Sequence, residues 1–291
     1  MKIILYEKII IYGLLLFWTF ICLFPIYWTV TTSFKNAINV TQGHLIPWID
    51  FTPVWKGWRN LGLSPDTIWT DSNPREEFFK RFFNTAFIST CASALAIILG
   101  SCAAYGLSRF NFKFGPMRNP DISFFFLSQL ILPPVVLALP VLVLYRELAL
   151  VDTRIGMILL YTLTVLPIVI WIMRDQFNAV PIELEEAALV DGASVWISYL
   201  KIVLPIVLPG IVSAFILCLI LCWNEYFLAA LITSTDAITM PVMVASQISS
   251  QSIRWWNMAA ISAALCVPLI LVAIFLERYI VKGMAAGAVK E

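Results

Sequence analysis

Six stretches of the chain are apolar for long enough to cross a bilayer, which takes about 20 residues each. They cover 9–32, 83–107, 122–144, 155–173, 206–232 and 258–281, with polar, charge-bearing segments between them. The pattern predicts an all-α polytopic membrane protein with six transmembrane helices. Lys2 and Lys8 precede the first run as they would in a signal sequence. That run is too long, and no small-residue cleavage site follows it, so it is expected to be retained.

One polar segment interrupts this pattern with structure of its own. Residues 180–210 read VPIELEEAALVDGASVWISYLKIVLPIVLPG. Pro181 suits the first position of a helix, and Glu183, Glu185 and Glu186 fall in its positive first turns. Asp191-Gly192 supplies a stop, and Ser194 a cap for a second short helix in which Ile197, Leu200 and Leu204 share a face. Ala187 and Ala188 leave one helix face nearly bare, so that another protein could approach the backbone. The product is a helix, a turn and a second helix beside a membrane. A loop lying flat on lipid is the competing reading, and neither the acidity nor the glycine spacing favours it.

Composition changes little in this picture. The chain has 291 residues, 60% hydrophobic and only 13% charged, with a net charge of +1, which excludes a broad basic face for nucleic acid. The six cysteines all lie in apolar runs; Cys218 and Cys222, one helical turn apart, read as packing residues rather than metal or redox groups. The sole histidine, His44, has no partner at ligand spacing and reads as a loop residue. Nothing matches G-x-x-x-x-G-K-[ST], no Ser/His/Asp set can form around one loop histidine, and no metal cluster appears. The chain has no visible means of hydrolysing ATP or catalysing a reaction.

Glu186, Ala187, Ala188, Gly192, Ile202, Leu204 and Pro205 match EAA-x3-G-x9-I-x-LP at every fixed position. The segment resembles the loop by which permease subunits of bacterial ATP-binding-cassette importers dock onto their ATPase subunits. Trp223-Asn224-Glu225-Tyr226, Met240-Pro241-Val242 and the ending RYIVKGMAAGAVK at 278–290 resemble the maltose-type carbohydrate permeases, more narrowly their second, shorter subunit. The resemblance holds from about residue 82 to the C-terminus. It implies the type I importer fold and uptake of an oligo- or polysaccharide, acidic ones included, delivered by an extracytoplasmic solute-binding protein. It also implies a second homologous permease, an ATPase dimer that binds ATP and Mg, and no cofactor or metal in this chain. The domain organisation expected is 1–82, the first span with a long extracytoplasmic loop, then 83–291, the permease core with its coupling loop at about 178–205.

Charge supports the same orientation in the bacterial inner membrane. With both termini cytoplasmic, ten Lys and Arg lie inside and nine outside, and six of those nine sit in the 35–81 loop. Leaving that loop aside, ten against three favours this orientation. The 35–81 loop, with Trp48, Trp55, Trp58 and Trp69, is either a contact surface for an extracytoplasmic partner or a partly folded cap with an interfacial aromatic belt. Its end, 75–83, is expected to form an amphipathic helix lying at the interface.

Three further features are candidates for function. Pro133-Pro134 and Pro140 forbid a straight third span, and a break in lipid survives only where protein or a water-filled cavity satisfies the freed carbonyls. With Ser128 and Gln129 just before it, the break lies beside a translocation path or is simple kinked packing. Asn224 and Glu225, near the outer end of the fifth span, either face that path or act as polar glue between helices. The outer loop 233–257 is longer than connection requires. Its Ser249, Ser250, Gln251 and Arg254 are candidates for contact with the binding protein and its sugar, while Trp255 and Trp256 alternatively anchor the sixth span. A secondary transporter would need coupling charges at mid-membrane, where the spans hold almost none. An integral-membrane transferase would need a carboxylate or histidine cluster at one interface, and 183–191 is the sole candidate. Co-purification with an ATPase subunit separates the three classes.

Overall fold

The computed structural model describes residues 5–70, 72–249 and 253–288. In chain order, α1 (Leu5–Thr32), α2 (Ala37–Thr41), α3 (Lys56–Asn60) and α4 (Asn73–Arg109) are followed by a short antiparallel hairpin, β1 (Lys113–Phe114) with β2 (Met117–Arg118). Then come α5 (Asn119–Ser128), α6 (Pro134–Glu147), α7 (Arg154–Asn178), α8 (Glu183–Val190) and α9 (Val195–Ser198). A π-turn (Tyr199–Val203) leads through α10 (Leu204–Ile206) to α11 (Leu208–Trp223), α12 (Phe227–Ile232), α13 (Met240–Ala245) and α14 (Trp255–Ala288).

Among the described residues α1, α4, α7 and the Trp255–Glu277 part of α14 are each long and apolar enough to span a membrane. A fifth candidate is the pair Val195–Ile206 and Leu208–Trp223, bent by 77°. The bend has a local cause: Pro205 and Pro209 cannot donate to the helical ladder, and the π-turn lies immediately before them. The remaining expected run, 122–144, is present as α5 and α6, with 129–133 between them. Pro133 is extended at the start of α6, whereas Pro140 is accommodated inside it. The fifth apolar run does not continue unbroken to 232, because α11 ends at Trp223 and α12 starts only at Phe227. The stretch 75–83 is helical, as expected, but not a helix of its own. It forms the first turns of the 37-residue α4, which at about 1.5 Å per residue is about 55 Å long. The tail is helical as far as Ala288, as a continuation of α14; residues 289–291 lie outside the described residues.

The chain divides into two compact units, Met1–Phe82 with Val242–Pro268, and Phe83–Pro241 with Leu269–Glu291. In the second, α4, α7 and α11 supply the core. Small residues of α4 (Ala92, Ala96, Ala104) are buried, as are Met157, Tyr161, Val165 and Val169 of α7 and Ala214, Cys218 and Cys222 of α11. Small side chains let helix backbones approach closely where lipid offers no hydrophobic drive. Gly100 marks one such approach, since a Cβ there would lie 2.6 Å from Val169 Cγ1. The same unit ties down the stretch before α13. Asp152, left-handed at φ 55°, accepts the backbone N–H groups of Ser234, Thr235, Asp236 and Ala237. Asn84 donates to the carbonyls of Asp236 and Ile238, and Arg154 Nε donates to Asn84 Oδ1 at 2.8 Å.

The first unit shows why residues 35–70 fold rather than dangle. Phe34 packs edge-on against Trp55, Trp58 Nε1 donates to Ser33 Oγ, and Phe51 and Leu61 are buried. Lys35 is fully buried, its Nζ 4.1 Å from the Trp28 ring centroid and 5.2 Å from that of Phe51, with no hydrogen-bond acceptor among the described residues. Burial lowers its pKa, and the nearby Asp50 carboxylate opposes that shift. Residues 242–268 join through an amide relay: Asn60 Nδ2 donates to Asn257 Oδ1, and Asn257 Nδ2 to Gln247 Oε1.

Candidate functional site

The helix–turn–helix at 183–198 forms much as its sequence dictates. Its first helix begins at Glu183, two residues after Pro181, with Ile182 as its N-cap. Three glutamates in the first turn meet the positive end of the helix dipole. The helix closes on Gly192 at φ 87°. Ala193 N–H donates to Ala188 C=O (2.9 Å) and Gly192 N–H to Leu189 C=O (3.1 Å), the two crossed bonds of a Schellman stop. A Cβ at Gly192 would meet nothing within 4 Å. The position therefore needs glycine for its backbone angle, not for room. Ser194 then caps α9, accepting the Ile197 N–H.

The π-turn changes which residues of the second helix face inward. Ser198, Tyr199, Val203 and Val207 are buried, whereas Ile197 and Leu200 are exposed. The single apolar face of Ile197, Leu200 and Leu204 is thus turned away from the chain's own core. Ile202 and Leu204 are half-buried, and Pro205 is exposed.

On α8 the two adjacent glutamates part company, as they must at 100° per residue. Glu185 and Ala188 point inward; Glu186 and Ala187 point outward, so the two alanines do not share one bare face. Glu185 was not a candidate from sequence, yet it is the best-held acidic group in the segment. Its Oε1 accepts Arg109 Nε at 2.6 Å and its Oε2 accepts the Tyr105 hydroxyl at 2.5 Å. Arg109 Nη2 donates in turn to Val180 C=O, at 2.9 Å. The side chains of Arg109 and Glu185 are 9% and 7% exposed. Tyr105 rests against Tyr199 and Phe177, and Tyr199 donates to Ser101 Oγ. The available signal was Tyr105-x3-Arg109, an aromatic and a cation one turn apart at the end of an apolar run.

The outward side is what remains. Leu184, Leu189, Val190, Val195 and Trp196 are exposed, with Val190 at 88%, beside Glu183 and Glu186. The hairpin therefore presents exposed apolar side chains next to two exposed carboxylates.

The other candidates are not gathered with it. Gln129 is the exposed C-cap of α5, and Pro133 and Pro134 start α6. The Glu225 carboxylate caps α12, accepting the N–H groups of Leu228 (2.8 Å) and Ala229 (3.1 Å). Asn224 donates back to Ile220 C=O. Among the described residues no hydrogen bond or ion pair joins the two groups. Ser249 is exposed, while Ser250 and Gln251 lie outside the described residues. Ile248 forms an antiparallel bridge with Ile253. Arg254 lines a polar cleft of about 640 Å³ with Arg59, Asn60, Arg81, Gln247 and Asn257.

The family described as binding-protein-dependent transport system inner membrane component matches residues 96–286. The trehalose transport system permease protein SugB of Mycobacterium tuberculosis is 31% identical over 271 residues, covering 92% of this chain and 92% of that one. The diacetylchitobiose uptake system permease protein DasC of Streptomyces coelicolor is 26% identical over 272 residues, covering 92% and 91%. Among solved structures, a bacterial ABC transporter involved in the import of the acidic polysaccharide alginate shares the fold. Its TM-score is 0.70 at 21% identity, over 96% of this chain and 99% of that one.

Proposed function

The chain belongs to the family of binding-protein-dependent transport system inner membrane components, and from that premise we propose that it carries a saccharide across the bacterial inner membrane. It is a transport subunit rather than an enzyme, and in this family the ATPase is a separate subunit. The saccharide class follows from relatives named for trehalose and diacetylchitobiose uptake. Both termini are cytoplasmic, residues 83–291 are the transport core, and 1–82 contribute the first span and an outer loop.

The partners are a second permease, a pair of ATPase subunits that bind ATP and Mg, and an extracytoplasmic binding protein. The observation that carries the reading is the outward face of α8 and α9, apolar and acidic and left exposed by the described residues. Glu186 meets a basic group in an ATPase cleft, and Gly192 holds the turn that presents it. Ile202, Leu204 and Pro205 join this hairpin to α11. Gln129, Pro133, Pro134, Asn224 and Glu225 border the translocation path. Ser249, Ser250, Gln251 and Arg254 meet the binding protein.

The test is Glu186→Ala in the assembled complex, with ATP hydrolysis stimulated by the loaded binding protein and uptake of labelled neutral and uronate oligosaccharides as readouts. Loss of stimulated hydrolysis and uptake, with the protein still inserted, is expected; wild-type values of both would sink the docking role.

A further inference from the structure

The outward glutamate of α8 has a docking role to fill; the inward one has none, and it is held more tightly. We infer that Arg109 and Glu185 are positioning residues that fix α8 to the end of α4, so that movement imposed on the docking helix is delivered to α4 as a rigid body. The inference rests on the docking reading above.

Three features support it. First, the linkage is complete at both ends: both Glu185 oxygens are taken, by Arg109 Nε and by the Tyr105 hydroxyl one helical turn earlier. A guanidinium with a planar fork, anchored also on Val180 C=O, resists rotation in a way a lone ammonium would not. Second, the pair is nearly dry, which makes it costly to separate: removing one partner leaves a buried charge without its counterpart. Third, the surrounding rings keep the angle between the helices. Tyr105 is wedged between Phe177 at the end of α7 and Tyr199 in the π-turn, with ring centroids 5.6 and 4.7 Å away. By contrast, the route from α9 to α11 passes through the π-turn and the 77° bend, where two prolines interrupt the ladder. Compared with that route, the one through Glu185 is the stiffer.

The experiment measures rigidity directly and needs no knowledge of the transported solute. Spin labels are placed at Asp191→Cys, the exposed C-cap of α8, and at Leu99→Cys, also exposed, in a background with the six native cysteines replaced. The labelled chain is purified as the full complex with its ATPase. Pulsed dipolar distances are recorded without nucleotide and with a non-hydrolysable ATP analogue and Mg. With Arg109 and Glu185 intact, one narrow distribution is expected that does not move on adding nucleotide. Arg109→Gln and Glu185→Gln should each lose the narrow distribution and make the distance nucleotide-dependent. The swap of Arg109→Glu with Glu185→Arg should restore most of it. If the pair merely stabilised the fold, the single variants would yield less complex, but the surviving complex would keep the narrow distribution, and the proposal would be overturned. A wild-type chain that does not co-purify with an ATPase removes the docking reading instead.

Discussion

Gly192 offers the sharpest prediction, because the structure separates two explanations that a sequence cannot. A turn glycine is needed either because a side chain would collide or because the backbone angle is hostile to one. Open space surrounds the would-be Cβ, so only the second applies. At φ 87° an L-residue is strained, by about 1–2 kcal/mol for an ordinary side chain and more for a β-branched one. Asn tolerates the left-handed region better than Ala. The strain falls on the two crossed hydrogen bonds that close α8, from Ala193 to Ala188 and from Gly192 to Leu189. At about 1.4 kcal/mol per tenfold, the closed turn becomes roughly tenfold less favoured for Ala, and the order of damage is Asn, then Ala, then Val. Hydrogen exchange of 183–198 in the assembled complex reads the opening, and binding-protein-stimulated ATP hydrolysis per complex reads its consequence. Both should follow that order, with Val nearly inactive. If Val exchanged like wild type, or if Asn were worse than Ala, the backbone argument would be refuted.

Three other outcomes follow from the same structure. Burial alone would raise the Asp152 pKa, but its four backbone N–H donors outweigh that and hold it well below its ordinary 3.8. Its stabilisation is therefore complete above that pH and is lost only as pH falls through the lower, folded-state value. Asp152 is largely solvated, so with screening Asp152→Asn should cost no more than about 1 kcal/mol at neutral pH, and thermal unfolding in micelles should show the gap narrowing only in acid below 3.8. Lys35→Met should leave stability within about 1 kcal/mol of wild type, since the lost cation–π attraction is offset by relief of a desolvated ammonium; a loss above about 2 kcal/mol in the same assay would contradict this. Replacing residues 248–252 with a short Gly-Ser turn should leave assembly and basal ATP hydrolysis intact and reduce uptake driven by the binding protein. Unchanged uptake would make the loop a connector.

What was legible in the sequence was local. The stop at Gly192 and the cap at Ser194 are decided by residues within one turn, so their types announced them. The acidic partner of Arg109 could not be read, because 76 residues separate it from Glu185 and only the packing of α4 beside α8 brings them together. The break after Trp223 was hidden because a capping glutamate inside an apolar run looks the same in sequence as a glutamate facing a path. The amphipathic helix over 75–83 was legible, with Phe78 as its buried position, but its continuity with the span after it was not, because the charges at 75–81 interrupt the apolar run without interrupting the helix. The inward set of the second short helix was missed because a π-turn shifts the register by one residue, and no 3.6-residue pattern reveals that.

The central claim is that a separate ATPase sits on the outward face of α8. A photo-crosslinking amino acid at Val190, which is 88% exposed, tests it with little disturbance. Trp69, also 88% exposed but in the 35–81 loop, serves as the control position. The account predicts a covalent adduct with an ATPase subunit from position 190 and none from position 69, in membranes where uptake is intact. Active membranes that yield no such adduct at 190, or an equal one at 69, would contradict it.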